Sequence, residues 1–326
     1  MKEIILNLLS LIFKSVSFLN LKIRSIRQVE YKDLFIISID NLSFGGTGKT
    51  STVLELGRLL RDNGVNFSII LRGYGSKSVK NGCRVIKEHT FADVGDEALI
   101  YRNEFPGSDI YVGKERKKSV ENSIKRGNSV VILDDGFQTV NIKKDFSLML
   151  INPLQKYYYL RNFKFMVKNE DIVCFYNGNE ILTENVMSGY KIKESTIKGK
   201  YNFNSIGFFD RDGKGVKYIG QNIMGFSGVG DNKRFEESLK EFGLKLFFPF
   251  HDHHQFESRE ILKLDKIRKD NKCDFLVCTF KDFVKLKSEV DPQIPLIYLK
   301  NRIEFKPDIK KIVLSKINGK KDKIQS

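Results

Sequence analysis

"DNLSFGGTGKTS", Asp40–Ser51, sits between an apolar run, "LFIISI" (Leu34–Ile39), and a segment with helical spacing, "TVLELGRLLRDNG", that ends at Gly64. Strand, glycine-rich loop and helix in this order are the context a phosphate-binding loop requires. Gly45, Gly46, Gly48, Lys49 and Thr50 give G-G-T-G-K-T. Small residues let backbone N–H groups curl around a phosphate in front of a helix N-terminus. The nucleotide contacts expected are Ser43, Phe44, Gly45, Gly46, Thr47, Gly48, Lys49, Thr50 and Ser51. Lys49 reaches the β- and γ-phosphates of ATP, and the Thr50 hydroxyl binds Mg²⁺. Ser43 replaces the first glycine of the usual pattern, while Gly45 and Gly46 keep freedom inside the loop. The competing reading is a chance glycine-rich turn.

Further on, "SVVILDDGFQ" is an apolar strand ending in Asp134 and Asp135. Carboxylates at a strand's C-terminal end hold Mg²⁺ in phosphoryl-transfer sites, and both are expected as metal ligands. Asp135-Gly136 is also a turn dipeptide, which is the plainer alternative. Phe44 stands where MinD-like proteins carry a lysine, and "TFKD" (Thr279–Asp282) lacks the letter order of a GTPase base reader.

Around this site the chain alternates apolar runs with charged helical stretches. "FSIILRGY" (Phe67–Tyr74), "DIYV" (Asp109–Val112), "SVVILDD" (Ser129–Asp135) and "FSLMLI" (Phe146–Ile151) read as strands. The fold class expected is α/β: a P-loop NTPase-type parallel sheet flanked by helices, a second smaller α/β lobe and an N-terminal amphipathic helix. The boundaries expected are 1–28 for that helix, 29–190 for the kinase domain, 191–220 for a β-rich linker and 221–326 for the second lobe. The 326 residues carry 56 Lys and Arg against 40 Asp and Glu, a net charge of +16. Anionic partners or a solvated basic surface both account for it. Cys83, Cys174, Cys273 and Cys278 form no metal-ligand spacing and fit a reducing compartment.

In the first 25 residues Glu3, Asn7, Ser10, Lys14 and Ser17 form one narrow polar stripe on an otherwise Ile, Leu, Val and Phe helix. Its apolar runs are short for a spanning helix, and no cleavage site follows. With Lys22, Arg24 and Arg27 behind it, the helix suits an anionic membrane interface, polar stripe toward the headgroups. A core-packed first helix is the alternative.

Taken in order, "NLSFGGTGKT", "LRGYGSK", "VGDEALI", "VVILDDGFQ", "GFSGVGDNKRFEESL", "FHDHHQF" and "TFKDFVKL" resemble the tetraacyldisaccharide 4′-kinase family over roughly residues 30 to 290. The resemblance implies transfer of the ATP γ-phosphate to the 4′-hydroxyl of a lipid disaccharide at the cytoplasmic face of the inner membrane. It also implies two α/β lobes with a cleft between them. It makes Asp96 the catalytic carboxylate, Glu97 an acid near the metal, and His253 the partner of Asp96, with Asp252 and His254 completing that motif. Arg72, Tyr74, Arg116 and Gln138 fall on the acceptor side. Ala98, Thr139, Val140 and "TFKD" depart from the family pattern, and Arg161 is the counterpart of an arginine in a segment otherwise unlike it. Lipid disaccharide and an anionic membrane are the partners expected, with no nucleic acid and no protein partner. Two other readings stay open: a basic P-loop ATPase acting on nucleic acid, and a membrane-bound protein that binds ATP without transferring it.

Overall fold

The computed structural model describes residues 2–43, 47–73, 82–152, 160–168, 170–176, 190–217, 222–252, 254–286 and 290–325. The chain divides into two compact units, Met1–Asn202 with Ile303–Ser326, and Phe203–Arg302.

The first unit is built on parallel strands in the order β8-β7-β6-β1-β5-β2-β4, with β3 antiparallel at the edge. They are β1 (Phe35–Asn41), β2 (Phe67–Leu71), β3 (Cys83–Arg84), β4 (Asp109–Val112), β5 (Val130–Asp134), β6 (Phe146–Ile151), β7 (Ile172–Tyr176) and β8 (Ile197–Phe209). β1 lies at the centre, paired with β5 and β6, and all seven of its residues are buried. Burial on both faces is what an unbroken apolar run such as "FIISI" encodes. The helices are α1 (Lys2–Ser25), α2 (Lys49–Asp62), α3 (Phe91–Val94), α4 (Asp96–Glu104) and α5 (Arg116–Lys125).

In the second unit β10 (Ile223–Ser227) pairs in parallel with β11 (Leu244–Pro249) and β12 (Phe275–Thr279), and β12 with β13 (Leu296–Lys306). Short β9 (Gly215–Val216) is antiparallel to the end of β8. Helices α6 (Asn232–Lys240), α7 (Ser258–Asp270) and α8 (Phe280–Leu286) alternate with these strands. Met224, Phe226, Leu264, Leu276 and Phe283 form one side of its core, and Ile223, Phe235, Leu239 and Val277 the other.

The division differs from the one expected. Residues 191–220 do not form only a linker, because β8 runs through them and extends the first sheet by pairing Ile197–Tyr201 with β7. The last helix, α9 (Ile309–Gln325), belongs to the first unit rather than to a lobe over 221–326. Its Ile309, Val313 and Ile317 are buried, and its lysines pair with the first unit: Lys310 meets Glu55 at 3.0 Å, Lys316 meets Asp171 at 2.7 Å, and Lys320 meets Asp145 at 2.7 Å and the Leu34 carbonyl at 2.8 Å.

α1 also faces the other way from expectation. From Ser10 onward its polar stripe is turned onto the protein: Ser10 is buried, Lys14 fully so and Ser17 half-buried, with Leu21 buried beyond them, whereas Glu3 and Asn7 are exposed. Ser17 donates to Asn162 Oδ1 at 2.9 Å, and Phe18 packs edge-on against Phe163 and Phe165. Ile4, Leu8, Leu11, Ile12, Val16 and Ile23 are all exposed. A helical wheel gives the faces of a helix but not what each face meets, and here the body of the protein takes the polar one. Glu3–Ser25, with a mean hydropathy of 1.8, is by length and composition sufficient to cross a membrane. The stripe interrupts each apolar run without adding much charge, which is why short runs understate it.

Candidate active site

β1 and β5 are parallel neighbours, with Ile39 beside Asp134, so Asn41 and the Asp134–Asp135 pair emerge at the same edge of the sheet. This carboxyl edge is where open α/β sheets place their ligands. α2 begins there behind Gly48, whose φ of 89° is left-handed and suits glycine. No side chain at the N-cap bonds this helix start, which leaves its first N–H groups available to an anion.

Lys49 Nζ donates to Asn41 Oδ1 at 2.9 Å and lies 3.9 Å from Asp135 Oδ1. Asn41 in turn donates to Thr47 Oγ1 at 2.8 Å, so the strand end and the second half of the loop are tied together. Asp135 carries a left-handed φ of 57°, strained for most side chains and tolerated by aspartate. Arg161 holds it with a two-pronged pair, at 2.7 and 2.6 Å. Arg116 fixes the same turn from below, donating to the carbonyls of Asp135 at 2.9 Å and Asp134 at 2.8 Å and to Thr139 Oγ1 at 2.8 Å. Burial alone would push the Asp135 carboxyl up, but Lys49, Arg161 and Arg116 outweigh it and hold it well below the ordinary carboxylate range.

Asp134 is placed differently. Its Oδ2 accepts from Tyr101 OH at 2.7 Å, while its buried Oδ1 has no hydrogen-bond partner among the described residues. Burial, then the charge of Glu97, pushes its carboxyl up to about 7. Beside it the Thr50 hydroxyl donates to Glu97 Oε1 at 3.1 Å. A buried carboxylate oxygen without a partner calls for an explanation, and a hard cation supplies one. No three His, Cys, Asp or Glu among the described residues group as a metal cage. Mg²⁺ takes one or two carboxylates and fills its shell with phosphate oxygens and water. Thr50 and Asp134 fit such an ion, whereas Asp135 is engaged by Arg161.

Beside Arg116 a cavity of about 320 Å³ opens in the first unit, lined by Arg24, Arg72, Lys114, Arg116 and Lys117 together with the acids Glu115 and Asp135. Arg72 Nη1 donates to Gln138 Oε1 at 3.1 Å on its wall. Asp96 starts α4 after Gly95, whose φ is 85°, and is buried with Oδ1 accepting from the Glu97 N–H at 2.9 Å.

Thus Lys49, Thr47, Gly48, Thr50, Glu97, Asp134 and Asp135 gather at the strand ends, with Asp96 adjoining Glu97 in sequence. Ser43 is placed as a buried bridge to Leu160, and Ser51 is half-buried in the first turn of α2. Phe44, Gly45, Gly46, Tyr74 and His253 lie outside the described residues. Asn41 and Tyr101 were not among the residues expected. Tyr101 stands four positions after Glu97, one helical turn along α4, and that spacing was the signal available for it.

A family model described as tetraacyldisaccharide-1-P 4′-kinase matches residues 2–318. The tetraacyldisaccharide 4′-kinase of Syntrophus aciditrophicus is 27% identical over 303 residues, 83% of this chain and 80% of that protein. The one from Bradyrhizobium sp. (strain BTAi1) is 30% identical over 268 residues, 77% of this chain and 73% of that protein. A crystal structure of LpxK from Aquifex aeolicus, an "apo" form in complex with ATP, is 22% identical with a TM-score of 0.74. It covers 97% of this chain and 100% of its own, and shares the fold.

The Asp134 carboxyl gives a prediction in which stability and activity diverge. Free carboxyls of aspartate titrate near 3.9 and this one near 7, so its proton stabilises the folded state at low pH. That contribution is present below about 3.9 and is lost as pH rises to about 7. Asp134→Asn removes the buried charge. The nucleotide-free variant should be more stable than wild type at pH 8 by about 1–3 kcal/mol, with little difference at pH 4. Thermal unfolding at both pH values measures this, and a variant less stable at pH 8 contradicts it.

Proposed function

Because the chain belongs to the tetraacyldisaccharide-1-P 4′-kinase family, we infer that it transfers the γ-phosphate of ATP to the 4′-hydroxyl of a tetraacyldisaccharide 1-phosphate, a step of lipid A biosynthesis. The observation that carries this reading at the level of atoms is the open oxygen of Asp134, whose other oxygen Tyr101 holds, on the strand beside that which leads into an uncapped phosphate-binding helix.

Lys49 exchanges Asn41 for the β- and γ-phosphates, and the helix N-terminus takes the remaining phosphate charge. Thr50 and Asp134, with Glu97 beside them, are the groups that would hold Mg²⁺, whose charge neutralises the transferring phosphate. Arg161 and Arg116 keep Asp135 in place while Lys49 moves. Asp96 receives the proton of the sugar hydroxyl, with His253 as its partner; such a base contributes about 10²–10⁴-fold. The basic cavity beside Arg116, with Arg72 and Gln138 on its wall, suits the anionic sugar end of the acceptor. The exposed apolar residues of α1 enter the acyl boundary of an anionic bilayer at the cytoplasmic face, while the protein itself covers the polar stripe.

Incubation with γ-labelled ATP and the lipid disaccharide tests the reaction. Label should pass to the lipid, and Lys49→Ala should abolish it with the fold intact; label appearing only as free phosphate contradicts the reading. Asp96→Ala and His253→Ala should each lower transfer strongly at unchanged ATP affinity. The double variant should be little worse than the poorer single, since groups acting as one unit are non-additive. Additive losses would separate the two residues.

A second measurement concerns α1. Leu8, Leu11 and Ile12 are 59%, 45% and 56% exposed. Replacing all three by Asp should release the protein from anionic vesicles in a flotation assay and weaken use of lipid substrate, with ATP binding preserved. Unchanged vesicle binding contradicts the membrane role.

A further inference from the structure

The stretch Leu160–Phe165 joins α1 to the phosphate loop, and successive residues of it reach opposite ways. Leu160 bridges Ser43 at the head of the loop, and the Arg161 N–H donates to the Leu42 carbonyl at 2.6 Å. Leu160 is buried in one cluster with Leu42 and with Phe137, which follows the Asp135 turn. The Arg161 guanidinium enters the site itself. Besides its two bonds to Asp135 it donates to Asn41 Oδ1, the same oxygen that accepts from Lys49. Asn162 turns toward the helix: it is 1% exposed and accepts from Ser17 Oγ at 2.9 Å. Phe163 and Phe165 stack with centroids 5.1 Å apart, and Phe18 of α1 meets both edge-on.

Arg161 and Asn162 share one planar peptide unit, so a shift of the Asn162 seat is a shift of the Arg161 clamp. A displacement of about 1 Å carries bonds of this length beyond hydrogen-bonding range. The seat is polar where stability alone would call for apolar packing. Asn162 Nδ2 has no hydrogen-bond partner among the described residues, nor has Ser10 Oγ, two helical turns before Ser17, and buried polar groups left so are destabilising. A polar contact supplies register instead: apolar surfaces slide, whereas the Ser17–Asn162 bond exists at one position along the helix. Release of the clamp also has a definite consequence. Lys49 Nζ lies 3.9 Å from Asp135 Oδ1, near enough for a freed carboxylate to draw the lysine away from phosphate.

We propose that Ser17 and Asn162 are positioning residues for the nucleotide site: their hydrogen bond seats Arg161, which keeps Asp135 from competing with phosphate for Lys49. The proposal rests on the reading of Lys49 as the phosphate ligand. Neither Ser17 nor Asn162 touches nucleotide in this scheme. α1 is thereby a working part of the ATP site and not an anchor alone.

The test is calorimetric titration of Mg²⁺-ATP into the full chain without lipid, so that membrane anchoring does not enter, with thermal unfolding of each variant. Ser17→Ala and Asn162→Ala should each weaken ATP binding about tenfold, the scale of one lost hydrogen bond to a charged group. Ser17→Thr keeps the hydroxyl that Asn162 accepts from and should bind ATP as wild type does. In an Arg161→Ala background Asn162→Ala should weaken binding no further, since the two act through one contact. Ser17→Ala removes a single hydroxyl from a helix and carries the test if Asn162→Ala does not fold. Wild-type affinity in both alanine variants overturns the proposal, as does a loss for Asn162→Ala that is equal with and without Arg161. If Lys49→Ala itself binds ATP like wild type, the reading of the phosphate loop fails and takes the proposal with it. If Lys49→Ala loses ATP and neither seat variant does, the seat alone fails.

Discussion

Arg161 donates through two guanidinium nitrogens to the carboxylate of Asp135, and both residues are largely shielded from water. A buried ion pair is weak evidence for stability in itself, because desolvation opposes the attraction. Its consequence here is geometric. It holds a residue at a left-handed φ of 57° at the end of β5, where Arg116 fixes both adjoining carbonyls. With Asp135 satisfied by Arg161 and near Lys49, its neighbour Asp134 is left with one oxygen on Tyr101 and one open. Two adjacent carboxylates of the same sequence type thus acquire opposite electrostatics: Asp135 is kept ionised by cations, and Asp134 is pushed toward neutrality by burial and Glu97. In the proposed reaction, that division would leave Asp134 available to a cation arriving with its phosphates.

The strand–loop–helix around Lys49 and the parallel sheet were readable because buried strands are unbroken apolar runs and phosphate loops demand glycine before a helix. The separate duties of Asp134 and Asp135 were not. They depend on Tyr101, 33 residues away, and Arg161, 26 residues away, and no local pattern announces either contact. The division of the chain was missed at α9, where Ile309, Val313 and Ile317 recur at helical spacing and are buried beside the lysine contacts, because periodicity tells that a face is buried but not which unit takes it.

α1 joins this site to a surface. The stripe that a lone interfacial helix would give to headgroups is given to the protein, through Ser17 and Asn162. Asn162 is the residue after Arg161, so the seat of the apolar helix and the clamp on Asp135 share one short stretch of chain. Arg24, in the last turn of α1, also lines the basic cavity beside Arg116, so the proposed membrane helix and the proposed acceptor pocket share a residue.

The division between the two aspartates is tested most directly by cation binding. Mn²⁺ titrated into the ATP-loaded protein and followed by electron paramagnetic resonance reports ion affinity without requiring turnover. Asp134→Asn should lose tight Mn²⁺ binding, whereas Asp135→Asn should retain it while releasing Arg161 and Lys49. Loss of the ion in Asp135→Asn together with its retention in Asp134→Asn would contradict the account.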